Sequence, residues 1–220
     1  MFQNVKGMIF DFDGTLINSL KLWQEVDVEF LRARGIACPD NLQQDIEGMG
    51  LQDCARYFQE RFSLTDSVES MISEWSDMVR EKYFHLSWKE GSEKFLQYAK
   101  DVDYPMAMAT SNQEDLVSKV LGHRGLSHIF SAIATSDYVG AAKPEPDVFL
   151  EAARRIGVRA EDCLAFEDTY AGVEGAKRAG MRAVAVYNGH MGNWEAIQSL
   201  ADHHIYEYHS LLETLRDYHE

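Results

Sequence analysis

The 220-residue sequence predicts an α/β fold, a doubly wound parallel sheet interrupted by one all-helical insertion. Three observations predict it. Short apolar runs recur along the chain, each stopped by a turn signal or a cluster of polar residues. Stretches of about ten residues with helical spacing separate the later runs, and strands alternating with such helices mean βαβ units. Between the first run and the second, finally, lie about seventy residues with no strand signal, too many for a loop inside a compact domain.

The first strand is expected at Met8 to Phe12, where Asp13-Gly14 turns the chain. Three more follow: Pro105 to Ala109 before Thr110-Ser111-Asn112, Cys163 to Phe166 before Glu167-Asp168, and Met181 to Tyr187 before Asn188-Gly189. Ala132 to Thr135 is a weaker run. Helical spacing marks Gln113 to Leu121, Asp147 to Ile156 with Asp147 as its N-cap, and Ala171 to Ala179 closed by Gly180. Within the insertion, residues 19–89, Val68, Met71, Ile72, Trp75, Met78, Val79 and Tyr83 form one amphipathic stripe. Leu20, Trp23, Asp27, Phe30 and Leu31 form another, in which the acid is out of place. These stripes predict a small core belonging to the insertion itself. Period-two alternation at Asp202 to His209 predicts an edge strand rather than a histidine metal site.

Composition narrows the function. Hydrophobic residues at 45% and charged residues at 26% are ordinary for a globular chain. With 21 Lys and Arg against 36 Asp and Glu, the net charge of −15 repels a phosphate backbone or an anionic bilayer. Nucleic acid and membrane are therefore excluded as expected partners; a small phosphorylated metabolite bound through a local cation is not. Cys38, Cys54 and Cys163 have neither disulfide nor zinc spacing. No run reaches the roughly 18 apolar residues of a membrane helix, and the expected compartment is the cytoplasm. No unusually long apolar stripe is left over, so a monomer is expected.

The polar residues of interest stand just after expected strands, where open parallel sheets bind ligands. Asp11 and Asp13 follow the first, Thr110, Ser111 and Asn112 the second, Glu167 and Asp168 a later one. Lys143 sits in the Pro-bounded loop Ala142-Lys143-Pro144-Glu145-Pro146. Four carboxylates converging on one edge repel one another strongly unless a hard divalent cation joins them, and magnesium suits carboxylate, carbonyl and phosphate oxygen.

Asp11-Phe12-Asp13-Gly14-Thr15, Thr110, Lys143-Pro144 and Glu167-Asp168, in that order, resemble the four motifs of the haloacid dehalogenase-like hydrolase superfamily. The placement of the insertion resembles the subfamily with an α-helical cap, which includes phosphoglycolate phosphatase, sugar-phosphate phosphatases and β-phosphoglucomutase. The resemblance implies a Rossmann-like core at residues 1–18 and 90–220 with a cap at 19–89. It implies Asp11 as nucleophile forming an aspartyl-phosphate, Asp13 as general acid and base, and Thr110 and Lys143 on the phosphoryl oxygens. Ser111, Asn112 and Gly14 would contact the phosphate through their backbone, and Mg2+ would sit among Asp11, the Asp13 carbonyl, Asp168 and Glu167. Asp13 favours phosphoryl transfer, because dehalogenase members lack that second acid.

Trp23 and Leu51 stand about where the mutases carry a histidine and an arginine, which favours a phosphatase, with sugar phosphate as expected substrate, over the phosphomutase alternative and over a silent binding module. Trp23 and Met49 become the candidate cap contacts to substrate. Glu90-Gly91 replaces the family's usual Pro-Gly at the return from the cap, leaving Gly91 as the hinge.

Overall fold

A computed structural model describes residues 1–47, 49–189 and 193–219. Its sheet has six strands, β1 (Gly7–Phe10), β2 (Met106–Thr110), β3 (Ala132–Thr135), β4 (Cys163–Glu167), β5 (Arg182–Val186) and β6 (His203–Ile205). Their order is β3-β2-β1-β4-β5-β6, and every neighbouring pair is parallel. The direction of winding reverses at β1, between β2 and β4, where a sheet of this kind opens a crevice at its carboxyl edge.

Alternation along the strands sorts large side chains from small. Met8 and Phe10, Met106 and Met108, Leu164 and Phe166, Val184 and Val186 face one side, while Ala107, Ala109, Ala165, Ala183 and Ala185 face the other. The large face is covered by α5 (Ser92–Asp101), α6 (Glu114–His123) and α11 (Tyr208–His219). Phe10 stacks on Phe166 with ring centroids 4.5 Å apart. On the alanine face α8 (Asp147–Arg155), α9 (Tyr170–Arg178) and α10 (Trp194–Leu200) pack close to the backbone.

Several expectations shift. The first strand ends at Phe10, which leaves Asp11 just beyond the ladder. Pro146, not Asp147, is the N-cap of α8, since a fixed proline φ suits helix entry and Asp147 then serves in the first turn. The edge strand at 202–209 shrinks to three residues because Tyr208 starts α11, whose buried Leu211, Leu212 and Leu215 need the sheet beneath them. Helices α5 and α11, and the single turn α7 (Ser136–Val139), have no counterpart in the sequence expectation.

The long segment between β1 and β2 is helical, as predicted: α1 (Leu20–Ala33), the single turn α2 (Leu42–Asp45), α3 (Leu51–Phe62) and α4 (Val68–Tyr83). Phe30, Phe58 and Trp75 meet edge to face at its centre. Arg34 ties it together, donating to Asp66 at 2.8 Å and to Glu74 at 2.7 Å. Its apolar interior is not separate, however: through Phe12, Tyr83 and Trp88 it runs without a break into the large face of the sheet. No described helix is long and apolar enough to cross a membrane.

Candidate active site

At the reversal point β1, β2 and β4 deliver the residues at and just after their carboxyl ends into one cavity. Asp11, Thr110, Lys143, Glu167 and Asp168 all line it, and all are buried. One carboxylate oxygen from each of Asp11, Glu167 and Asp168 lies within 4.8 Å of the others. Lys143 Nζ donates to Asp11 Oδ1 at 2.7 Å and, more closely, to Glu167 Oε1. Burial works against the Lys143 charge, but the Asp11 and Glu167 carboxylates outweigh it and hold the ammonium well above its ordinary pKa. Glu167 Oε2 accepts from the Asp168 and Thr169 amides at 3.0 and 3.3 Å and from the Thr169 hydroxyl. Asp168 Oδ1 accepts from Thr15 Oγ1 at 3.1 Å and Oδ2 from Asn188 Nδ2 at 2.7 Å. Thr169, not Asp168, is the N-cap of α9, so Asp168 is spent on the cavity rather than on the helix.

Three buried carboxylates facing one ammonium leave negative charge uncompensated. The consequence is visible in their titration: burial, reinforced by Glu167, pushes Asp168 up to about 7, and burial likewise raises Asp11 well above the usual carboxylate range. A hard divalent cation among these oxygens removes the conflict, so the donor set fits magnesium.

Asp13 departs from the expected convergence of four carboxylates. It lines the same cavity, but its carboxylate is not one of the clustered three and bonds to Tyr83 of the helical insertion. Tyr83, at the last turn of α4, donates its hydroxyl proton to Asp13 Oδ1, and Asn112 Nδ2 donates to Asp13 Oδ2 at 2.8 Å. The direction of the tyrosine bond is forced. Trp23 Nε1 at 2.5 Å and Asn112 Nδ2 at 2.9 Å both donate to Tyr83 Oη, filling its two lone pairs and leaving its single proton for the carboxylate.

Other expected residues take different places. The Asn112 backbone N–H, expected on a phosphate, donates to Thr110 Oγ1 at 3.0 Å, because α6 begins two residues later with Gln113 as its N-cap. Ser111 lines the cavity. Gly14 is not among the lining residues; at φ +79° any Cβ there would collide with the Asp168 carboxylate, so glycine makes room for an acid rather than for substrate. Trp23 and Met49 both line the cavity, and Leu51, at the mutase arginine position, lines it too. Gly91 has φ +80° and precedes α5, where a Cβ would meet the His209 amide at 2.9 Å.

Four residues were missed. Tyr83 read as one more core position, with no sequence signal beyond a hydroxyl at the end of an apolar stripe. Asp27 had a signal, an acid inside a buried stripe. Asn188 read only as a turn. Glu47, in the loop after α2, reaches across to the start of α9, where its Oε1 accepts from the Tyr170 amide at 2.8 Å and the Ala171 amide at 3.4 Å. No local pattern could show that contact.

Carboxylates and one lysine, gathered where a parallel sheet reverses its winding, define an enzyme of the phosphoryl- and acyl-group class rather than a binding scaffold. Residues 8–186 match the family described as haloacid dehalogenase-like hydrolase, and the chain belongs to that family. Among curated relatives, the fructose-1-phosphate phosphatase YqaB of Escherichia coli is 30% identical over 84% of this chain and 98% of its own length. The bifunctional riboflavin kinase/FMN phosphatase of Arabidopsis thaliana is 31% identical over 81% of this chain, which spans only 48% of that protein. Among solved structures, a β-phosphoglucomutase from Clostridium difficile superposes with a TM-score of 0.82 at 21% identity, covering 97% of this chain and 96% of that one. That last likeness is one of fold. The sequence relatives place the chain among the family's phosphatases.

Proposed function

We propose that the chain is a magnesium-dependent phosphatase that hydrolyses a small phosphate monoester, a sugar or polyol phosphate, through an aspartyl-phosphate on Asp11. The observation that carries this reading is the division of labour between two acids 2 residues apart in sequence. Asp11 is held beside Lys143 in the buried trio; Asp13 is held across the cavity by Tyr83 and Asn112. One carboxylate is placed to attack and the other to move protons.

In the first step an Asp11 oxygen bonds to phosphorus, the ester P–O bond breaks, and the departing oxygen takes a proton from Asp13. In the second, Asp13 takes a proton from water, the water oxygen bonds to phosphorus, and the Asp11 carboxylate is released with inorganic phosphate. With both of its oxygens accepting hydrogen bonds, Asp13 is arranged here as the base of that second step. Thr110 and Lys143 lie where phosphoryl oxygens would rest, and Lys143 neutralises charge that grows on them. Magnesium, held by Asp11, Asp168 and the Asp13 carbonyl with Glu167 alongside, would supply further positive charge to the same oxygens. We assign residues 19–89 as the cap that closes this site and residues 1–18 and 90–220 as its base.

The fructose 1-phosphate named for the E. coli relative supports a sugar-phosphate substrate. Trp23 supports hydrolysis over mutation of the sugar: its N–H is committed to Tyr83, and neither it nor Leu51 offers a cation to a second phosphate. The test is to incubate the protein with magnesium, β-glucose 1-phosphate and a trace of glucose 1,6-bisphosphate, in parallel with a panel of sugar and polyol phosphates. Phosphate release from the panel is expected. Glucose 6-phosphate formed much faster than free phosphate would replace this reading with a phosphomutase.

A further inference from the structure

The cavity contains polar groups for which the chemistry at Asp11 has no use. Its volume is about 790 Å3, room for a six-carbon polyol beyond the phosphoryl position. Among the described lining residues Lys143 is the one lysine, arginine or histidine, and its ammonium is already committed to Asp11 and Glu167. The far wall presents instead Asp27 with amide side chains, Gln24 and Gln43, beside it.

Asp27 is only 6% exposed, on the buried stripe of α1 with Val26, Phe30 and Leu31. Its Oδ2 accepts from Gln43 Nε2 at 2.6 Å, and no described residue donates to Oδ1. Oδ1 is not among the described buried oxygens that lack a partner, and Asp27 lines the cavity, so this oxygen is open to it. Burial pushes the Asp27 pKa up to about 6, which still leaves it charged at neutral pH. An acceptor without a donor, bordering the cavity, suits a hydroxyl-bearing guest, since a hydroxyl can donate to it.

We propose that Asp27 determines specificity: its free oxygen accepts a hydroxyl of the leaving group, and its charge rejects any leaving group bearing a second phosphate or a carboxylate. The substrates are thus monophosphates of neutral polyhydroxy compounds. This rests on the phosphatase reading above and narrows it. Rejection should be strong, because an anion would meet a like charge in a site containing no free cation among the described residues, and a site built to bind a hydroxyl discriminates by large factors.

The experiment compares two matched pairs, each differing only by CH2OH against carboxylate: glycerol 3-phosphate with 3-phosphoglycerate, and sorbitol 6-phosphate with 6-phosphogluconate. With magnesium present, kcat/KM is expected to favour the neutral member of at least one pair by about 100-fold or more. Asp27→Asn should lower that ratio at least about 10-fold, and Asp27→Glu, which keeps the charge, should preserve the rejection of the carboxylate member. A wild-type ratio below about 10 in both pairs overturns the proposal even if Asp27→Asn fails to fold, as does a ratio unmoved in Asp27→Asn. Failure of the phosphatase reading is separable: no phosphate would then be released from either pair or from p-nitrophenyl phosphate.

Discussion

Asp11 lines the cavity from the end of β1, and Tyr83, buried at the last turn of α4, reaches the cavity residue Asp13, and the two are held in different ways. Asp11 is fixed by the sheet. Its amide donates to the Phe166 carbonyl at 2.9 Å, so its side chain follows from the pairing of β1 with β4 and cannot move without breaking the ladder. Tyr83 is fixed by docking: its hydroxyl finds Asp13 and Asn112 only while the helices of the insertion sit against the sheet edge. The nucleophile is thus built on the sheet, while the positioning of Asp13 and the wall that meets the leaving group depend on the insertion.

The sharpest break in that comparison is Asp11→Asn. The amide keeps the shape but is no nucleophile, so kcat should fall by about 10⁴-fold or more. The melting temperature should hold, since the substitution removes one buried negative charge from a crowded trio. Substantial phosphate release by the pure variant would refute the assignment. Nearly as large is the effect of removing divalent metal: exhaustive chelation should abolish turnover, magnesium should restore it and calcium, with looser and larger coordination, should inhibit. Full activity after chelation would contradict the sheet-edge account.

On the insertion side the expected effects are smaller. Glu47→Ala removes the carboxylate seated on the first amides of α9, a contact worth a fraction of a kcal/mol to about 1 kcal/mol. It should raise KM roughly 2–5-fold and leave kcat within about 2-fold, and an unchanged KM would show that this contact does not hold the closed form. Asp27→Asn should stabilise the fold. The Asp27 carboxyl has a folded pKa of about 6 against a reference of 3.8, so the folded chain binds this proton more tightly than the unfolded one. Stability therefore falls as pH rises between those values and stays lower above them. The variant should gain on the order of 2–3 kcal/mol near neutral pH and nothing near pH ~4, as read by chemical denaturation at both. A loss near neutral pH would contradict a desolvation cost at the Asp27 carboxylate.

The same contrast explains what could be read from the sequence. Residues that follow strands were legible, because a short apolar run ending in Asp11 or in Glu167-Asp168 fixes both the strand and the edge where its next side chain lands. Four polar motifs in order then placed Thr110 and Lys143 in the same cavity. Tyr83 was not legible, since nothing within the stripe from Val68 to Tyr83 tells which turn meets Asp13. The hydrogen bond from Tyr83 to Asp13 was not legible for the same reason. Glu47 lies 123 residues before the amide it reaches. Helix α11 was missed because its leucines have helical spacing only from Leu211 onward, after an alternating segment that reads as strand.

The central claim is that the insertion holds Asp13, the group that moves protons in both steps, in position through Tyr83. The direct test measures kcat/KM, which reports only the steps up to departure of the leaving group, for wild type and Tyr83→Phe with an alkyl phosphate and with p-nitrophenyl phosphate. An alkoxide needs a proton to leave and p-nitrophenolate does not. The account predicts a loss of about 10–100-fold with the alkyl ester and a loss under about 3-fold with the aryl ester; equal losses with both esters would contradict it.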